Sequence, residues 1–251
     1  MSKLRVLDLF SGIGGFSLGL ERTGGFEAVA FCEIEPYCRA VLAKHWPGVP
    51  CYDDVRELTA SRLAADGIAV DVICGGFPCQ DISAAGLGAG LAGSRSGLWA
   101  EFARLIRELR PRFIIVENVS ALLGRGVGTV LGDLATLGFD AEWHCIPAGA
   151  VGAGHIRDRV WIVGFLPDAA SDWFLQRWWQ QFTAIGDQAR YMDQWTGEPE
   201  PPRVADGVSN RMDTIRATGN AVVPQIPELI GYAILKAQKS EVTLPDLENV
   251  E

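Results

Sequence analysis

The stretch from Val70 to Gln80 reads VDVICGGFPCQ and joins a short apolar run to a loop that carries Cys79. A second stretch, from Phe113 to Val119, reads FIIVENV and ends another apolar run with a carboxylate and an amide. Both runs are typical of buried strands in an α/β sheet. Ligands and chemistry gather beyond the carboxyl ends of such strands. Cys79 and Glu117 are therefore candidates for a catalytic pair.

Runs typical of strands and of helices alternate along the first 166 residues. The predicted strands are 4–10, 26–32, 70–74, 113–116 and 160–166, and the predicted helices are 16–22, 36–45 and 98–109. This alternation predicts a doubly wound, mostly parallel sheet. A final amphipathic helix is predicted around residues 226–234, where its apolar face would pack back on the sheet.

The composition is that of a globular protein, with 48% hydrophobic and 21% charged residues. No apolar run approaches 18 residues, which argues against a membrane span. The six cysteines form no C-x-x-C pair and only three histidines accompany them, so we expect no metal site and reduced thiols in the cytoplasm. The first residues enter a strand at once, which leaves no room for a signal peptide. The net charge of −9 weighs mildly against a nucleic-acid partner but leaves room for a local basic groove.

A glycine turn, Ser11-Gly12-Ile13-Gly14-Gly15, separates the first strand from the first helix. Glycines let a ligand approach the backbone, and a helix N-terminus favours negative charge. Glu33 ends the second strand, where an acid can hold ribose hydroxyls, and Asp54 is a candidate partner for an adenine amine. Each feature alone fits an ordinary turn or cap. The three in this order favour a nucleoside cofactor, without the G-x-G-x-x-G spacing of nicotinamide binders.

The loop after Cys79 is rich in glycine between residues 81 and 97, which predicts a mobile lid beside the nucleophile. Further along, Arg157 and Arg159 share one face of an extended segment. Two guanidiniums suit a phosphate or a carboxylate, although a surface salt bridge with Asp158 is the alternative. The other thiols considered are expected to be buried and structural: Cys32, Cys38, Cys74 and Cys145.

In this order the pieces resemble the motifs of the cytosine-C5 DNA methyltransferase family. The matching segments are DLFSGIGG at 8–15, GFPCQ at 76–80, ENV at 117–119, the arginines of RDR at 157–159 and GNAVVP at 219–224. The resemblance covers residues 4–235. It implies a Rossmann-like class I methyltransferase fold, with S-adenosylmethionine as cofactor and double-stranded DNA as partner.

The resemblance also implies a role for each matching residue. A flipped cytosine would be attacked at C6 by Cys79 while Glu117 hydrogen-bonds N3, and C5 would then take the methyl group. The implied catalytic residues are Cys79, Glu117, Arg157 and Arg159. The implied cofactor-binding residues are Phe10, Gly12, Gly14, Gly15, Glu33, Asp54, Pro78 and Asn220. The implied substrate-binding residues are Gln80, Ser83, Asn118 and His155.

Two departures from the family pattern concern substrate recognition. His155 stands where the arginine motif has glutamine. The target-recognition region is very short and acidic at 167–202, between a catalytic and cofactor-binding domain at 1–166 and a return segment at 203–238, with a flexible tail predicted at 239–251. The alternatives are an RNA (tRNA) cytosine-C5 methyltransferase, a non-catalytic DNA-binding relative and a nicotinamide-dependent oxidoreductase.

Overall fold

The structure is a computed structural model that describes residues 2–78, 97–153, 157–167, 169 and 221–239. Its strands are β1 (Leu4–Leu9), β2 (Phe26–Cys32), β3 (Cys51–Tyr52), β4 (Val72–Gly75), β5 (Phe113–Val119), β6 (Asp140–Pro147) and β7 (Asp158–Phe165). Its α-helices are α1 (Gly15–Arg22), α2 (Pro36–His45), α3 (Ala60–Ala65), α4 (Leu98–Leu109), α5 (Leu122–Arg125), α6 (Val127–Thr136) and α7 (Gln225–Lys239). Within these ranges no helix combines the length and apolar character that a membrane crossing needs.

All seven strands form one sheet in the order β3-β2-β1-β4-β5-β7-β6. The first five strands of this order pair in parallel, whereas β7 runs antiparallel to both β5 and β6. The predicted doubly wound, mostly parallel sheet is therefore confirmed. The chain order reverses between β1 and β4, so the crevice for ligands is expected beyond the carboxyl ends of these two strands.

Two helical layers cover the sheet, because successive strand residues point to opposite faces. On one face, apolar side chains of α1 and α7 pack against residues such as Cys74 and Ile115. On the other face, α3 to α6 pack against the intervening residues, among them Ile73 and Ile114. Helix α2 covers a smaller cluster near β2 around Leu42.

The predicted final helix is present as α7, and its apolar face packs on the sheet and on the first helix. The core-facing residues of α7 are Ile226, Leu229, Ile230, Ala233 and Ile234. The approach is close because two positions of α1 are glycine. A β-carbon on Gly15 would press against the Val222 carbonyl, and one on Gly19 would overlap the Pro224 carbonyl oxygen. Residues 222–224, directly before α7, are thereby held beside α1 and the glycine turn that precedes it.

Candidate active site

The turn between β1 and α1 has an unusual backbone. Phe10 has φ +52°, Gly12 has φ +54° and Gly14 has φ +87°. A positive φ is rare for an aromatic residue and marks a backbone held by its surroundings. A β-carbon built on Gly12 would meet nothing within 4 Å, so there is open space beside this turn.

Glu33 holds the glycine turn from the neighbouring strand. It is buried, and its Oε2 accepts a hydrogen bond from the Gly12 amide at 2.7 Å while Oε1 accepts one from the Glu35 amide at 2.8 Å. The next residue, Ile34, has 61% of its surface exposed. Ile34 is not among the residues predicted from the sequence, although an aliphatic residue directly after an acid at a strand end is a recognisable signal. An acid and an exposed apolar surface thus stand side by side at the end of β2.

Asp54 lies after β3 and is paired with Arg56. Its Oδ1 accepts hydrogen bonds from the Arg56 amide and Nε, both at 2.9 Å, and its Oδ2 lies 2.5 Å from Nη2. The side-chain hydrogen bond from Arg56 is the main reason that the pKa of Asp54 lies below its ordinary value. The carboxylate is therefore ionised at neutral pH. Its predicted contact with an adenine amine stays a prediction.

Asp8 supports the turn from beneath and was not singled out from the sequence. It is completely buried, and its Oδ2 accepts hydrogen bonds from the Ser17 hydroxyl at 2.7 Å and the Ser17 amide at 3.3 Å. Its backbone oxygen accepts a hydrogen bond from the Ser11 hydroxyl at 2.5 Å. Burial raises the pKa of Asp8 to about 7, against the opposing effect of the Ser17 hydrogen bonds. The only signal in the sequence is an acid inside an apolar strand run.

Glu117 lies near the end of β5, on the side of the site where the sequence predicts the catalytic residues. Its Oε1 lies 2.8 Å from Arg159 Nε on β7, and its side chain is 12% exposed. A β-carbon on Gly76 would lie 2.8 Å from Glu117 Oε2, so the carboxyl fills space that only glycine leaves open. Burial raises the pKa of Glu117, while the charges of Arg159 and Arg157 oppose the rise. The carboxyl is thus biased toward holding a proton.

Asn118 fixes the stem of the loop that carries Cys79. Its side chain is buried, and its Nδ2 donates a hydrogen bond to the Phe77 carbonyl at 2.8 Å. Its Oδ1 accepts a hydrogen bond from the Val119 amide at 2.9 Å. Both ends of the Asn118 amide are therefore hydrogen-bonded within the protein. One of these bonds holds Phe77, the residue directly before Pro78.

The glycine turn after β1 and the loop stem after β4 are neighbours at one edge of the sheet, because Leu9 at the end of β1 pairs with Gly75 at the end of β4. The predicted residues that fall in the described part are Phe10, Gly12, Gly14, Gly15, Glu33, Asp54, Pro78, Glu117, Asn118, Arg157 and Arg159. The remainder lie outside the described residues, and their roles stay predictions: Cys79, Gln80, Ser83, His155 and Asn220. The predicted lid and nearly all of the predicted recognition region also lie outside.

One expectation about the thiols is wrong. Cys145 is exposed, whereas Cys32, Cys38 and Cys74 are buried as expected. The reason is that side chains alternate along the edge strand β6, so Cys145 points to the face on which Trp143 is also exposed, whereas its neighbour Ile146 points to the core.

The family model described as C-5 cytosine-specific DNA methylase matches residues 4–198. The type II methyltransferase M2.BsuMI of Bacillus subtilis (strain 168) is 36% identical over 177 residues, which cover 67% of this chain and 44% of that protein. The type II methyltransferase M.Sau3AI of Staphylococcus aureus is 34% identical over 188 residues, with 67% and 45% covered. The chain thus spans less than half the length of these curated relatives.

A solved structure is similar over a comparable portion. It is that of a prophage-encoded E. coli protein described as a DNA modification methyltransferase, with a TM-score of 0.55, 30% identity, and coverage of 66% of this chain and 47% of that chain.

Proposed function

Because the chain belongs to the C-5 cytosine-specific DNA methylase family, we propose that it transfers a methyl group from S-adenosylmethionine to C5 of cytosine in double-stranded DNA. The observation that carries this proposal is the buried Glu117 carboxyl, whose pKa is raised and which lies against Gly76 at the stem of the Cys79 loop. A carboxyl whose burial favours the protonated form suits a reaction in which a ring nitrogen must be hydrogen-bonded during attack on the ring.

The turn after β1 has the chemistry that S-adenosylmethionine needs. Open space beside Gly12 admits a ligand, Glu33 can accept hydrogen bonds from ribose hydroxyls, and the exposed side chain of Ile34 offers an apolar surface for the adenine ring. Asp54 would accept from the adenine amine. Phe10, Gly14, Gly15, Pro78 and Asn220 would complete the pocket. When bound there, S-adenosylmethionine supplies the methyl group.

The residues of the chain would act on a cytosine flipped out of the duplex. The Cys79 thiolate bonds to C6, and Glu117 donates its proton in a hydrogen bond to N3 as charge builds on the ring. Once C5 carries the methyl group, the C5 proton passes to water, its electron pair restores the double bond between C5 and C6, and breakage of the bond between sulfur and C6 restores the thiolate. Asn118 holds the loop stem through Phe77.

The remaining substrate residues would orient the base and its backbone. Arg157 and Arg159 supply positive charge beside Glu117, and we assign contacts with the flipped nucleotide to Gln80, Ser83 and His155. Residues 1–166 would form the cofactor-binding and catalytic domain, 167–202 a reduced target-recognition region and 203–238 the segment that completes the pocket.

The test is transfer of labelled methyl from S-adenosylmethionine into duplex DNA and, separately, into tRNA, followed by mass spectrometry of the nucleosides. We expect 5-methyldeoxycytidine from the wild-type chain and none from Cys79→Ala, which should still bind the cofactor. 5-Methylcytidine formed only in RNA would transfer the assignment to an RNA enzyme. Cofactor and DNA binding without product in either substrate would indicate a non-catalytic relative.

A further inference from the structure

Four aromatic side chains form a continuous row between the two halves of the candidate site. The ring centroids of Phe10 and Phe102 are 6.4 Å apart, those of Phe102 and Trp99 are 5.5 Å apart, and those of Trp99 and Phe77 are 5.2 Å apart. Phe102, Trp99 and Phe77 are buried, with at most 5% of their surface exposed. The row therefore has little space in which one ring can move without displacing the next.

The ends of the row lie at functional positions. Phe10 belongs to the strained turn proposed to bind the cofactor, where its φ is +52°. Phe77 lies two residues before Cys79, and its carbonyl is fixed by Asn118. Trp99 and Phe77 also stand on either side of residues 79–96, so their contact joins the two stems of the catalytic loop.

The middle of the row is anchored to the rest of the fold. Trp99 Nε1 donates a hydrogen bond to Asp133 Oδ2 on α6 at 2.9 Å. Five residues further along α4, Arg104 Nη2 donates to the carbonyls of Val55 and Leu58 at 2.9 and 2.8 Å. Both carbonyls belong to the segment that follows Asp54. Helix α4 is thus tied both to α6 and to the segment proposed to face the adenine ring.

We propose that Trp99 is a positioning residue that couples cofactor binding at the Phe10 turn to the reactivity of Cys79. This inference rests on the proposed function for the identity of the cofactor. A cofactor that contacts Phe10 changes the position of Phe102, and Trp99 passes that change to Phe77 and the stem of the catalytic loop.

The test measures the rate at which iodoacetamide alkylates Cys79, resolved by peptide mass spectrometry, with and without S-adenosylhomocysteine. Peptide resolution separates Cys79 from the exposed Cys145. In the wild-type chain we expect bound S-adenosylhomocysteine to change the Cys79 rate by about fivefold or more. Trp99→Leu removes the ring that contacts both Phe102 and Phe77. In this variant we expect the alkylation rates with and without S-adenosylhomocysteine to become nearly equal, while S-adenosylhomocysteine still binds.

Three further variants separate coupling from general damage to the fold. Trp99→Phe keeps a ring between Phe102 and Phe77 and should retain most of the effect. Phe77→Leu breaks the row at its other end, away from the cofactor turn, and should lose the effect as Trp99→Leu does. Leu105→Ala removes a fully buried side chain from the same helix and the same apolar core but leaves the row intact, so it should retain the effect.

The outcomes distinguish the coupling from the proposed function. If S-adenosylhomocysteine merely shields Cys79 directly, the rate ratio of Trp99→Leu and Phe77→Leu will equal that of the wild type, which would overturn the coupling. Binding of S-adenosylhomocysteine without any change in wild-type alkylation would also overturn it, and the proposed function would stand. A wild-type chain that does not bind S-adenosylhomocysteine would overturn both.

Discussion

The Glu117 carboxyl and the Arg159 guanidinium lie on adjacent antiparallel strands, with 2.8 Å between Oε1 and Nε. Burial favours the neutral form of the acid, whereas Arg159 and Arg157 favour its anion. Burial is the larger effect, so the pKa of Glu117 lies above its ordinary value. The two arginines thus limit how far burial raises the pKa of Glu117.

Replacing Arg159 with Gln should shift the pH dependence of methyl transfer. Loss of the cation removes the largest effect that opposes burial, so the pKa of Glu117 rises further above its ordinary value. Because the proposed reaction needs protonated Glu117, activity should persist to a higher pH even though its maximum falls. Single-turnover rates across the alkaline range would measure this shift. Arg62→Gln, which breaks an exposed ion pair with Asp66, is the control and should leave the profile unchanged. A shift to lower pH would contradict the role of Glu117.

Gly76→Ala tests the space that the Glu117 carboxyl occupies. The added methyl would lie 2.8 Å from Oε2, so the carboxyl must move away from its position against the loop stem. We expect the single-turnover rate to fall by about tenfold or more, because small displacements of reacting groups are costly. Affinity for S-adenosylmethionine should stay within about twofold of the wild type, since the turn after β1 is untouched.

The matched control for that experiment is Gly128→Ala, where a new β-carbon meets nothing within 4 Å. It should leave both the rate and the cofactor affinity unchanged. Wild-type rates in Gly76→Ala would show that the position of the carboxyl against Gly76 does not matter for the reaction.

The fold was largely readable because its apolar runs are long and well bounded. The predicted bounds of β2 and α2 agree with the structure, and Pro36 lies in the first turn of α2, where proline is favoured. Strand β6 was missed because two of its core-facing positions carry Glu142 and His144 in place of apolar residues. The antiparallel direction of β7 could not be predicted either, since an apolar run shows that a strand is buried but not whether it runs parallel to its neighbours.

The candidate site was partly readable for a similar reason. Acids at strand ends, such as Glu33 and Glu117, stand out because the runs before them are apolar. The use of the Asn118 amide to hold the Phe77 carbonyl joins residues 41 positions apart, and the sequence carries no local sign of it. Asp8 was overlooked because it lies within a strand rather than at its end.

Gly19→Ala tests the contact between α1 and the return segment. Its methyl would overlap the Pro224 carbonyl oxygen, and backbone cannot move aside as a flexible side chain can. We expect a loss of about 1–3 kcal/mol in the free energy of unfolding, measured by chemical denaturation. Gly132→Ala, in α6 with open space around it, should instead gain up to about 1 kcal/mol from helix propensity. Equal stabilities of the two variants would contradict the close packing described for α1 and α7.

Asn118→Asp tests the hydrogen bond to the loop stem. The change is isosteric, but it places a carboxylate oxygen where Nδ2 donates to the Phe77 carbonyl, so two acceptors then face each other. We expect kcat to fall by roughly tenfold or more, as is typical when a group that orients catalytic residues is lost. Cofactor affinity should be retained, which a thermal shift with S-adenosylhomocysteine would report. Unchanged kcat would mean that the loop stem is held by other contacts.

Asp8→Asn should change how the stability of the fold depends on pH. In the unfolded chain an aspartate has a pKa of about 3.9, whereas that of Asp8 in the folded protein is raised to about 7. Between these values the folded protein binds a proton that the unfolded chain has lost, so the contribution of Asp8 to stability falls as pH rises and levels off above about 7. Asparagine keeps an acceptor for Ser17 but does not titrate.

The free energy of unfolding of Asp8→Asn relative to the wild type should therefore increase with pH. The total increase between about pH 4 and pH 8 is at most about 4 kcal/mol, since each unit of pKa shift corresponds to about 1.4 kcal/mol. Denaturant titrations at several pH values would measure this increase. The buried Glu142, whose pKa is raised to about 8, titrates in both proteins, so its effect cancels in the difference between them. Asp66→Asn is the control. Hydrogen bonds from Tyr52 and Arg62 lower the pKa of Asp66, so this carboxylate stays ionised between about pH 4 and pH 8, and its replacement should not change the slope of stability against pH. Parallel stability curves for Asp8→Asn and the wild type would show that Asp8 is already ionised in the folded protein. The glycine turn would then rest on a buried anion held by Ser17.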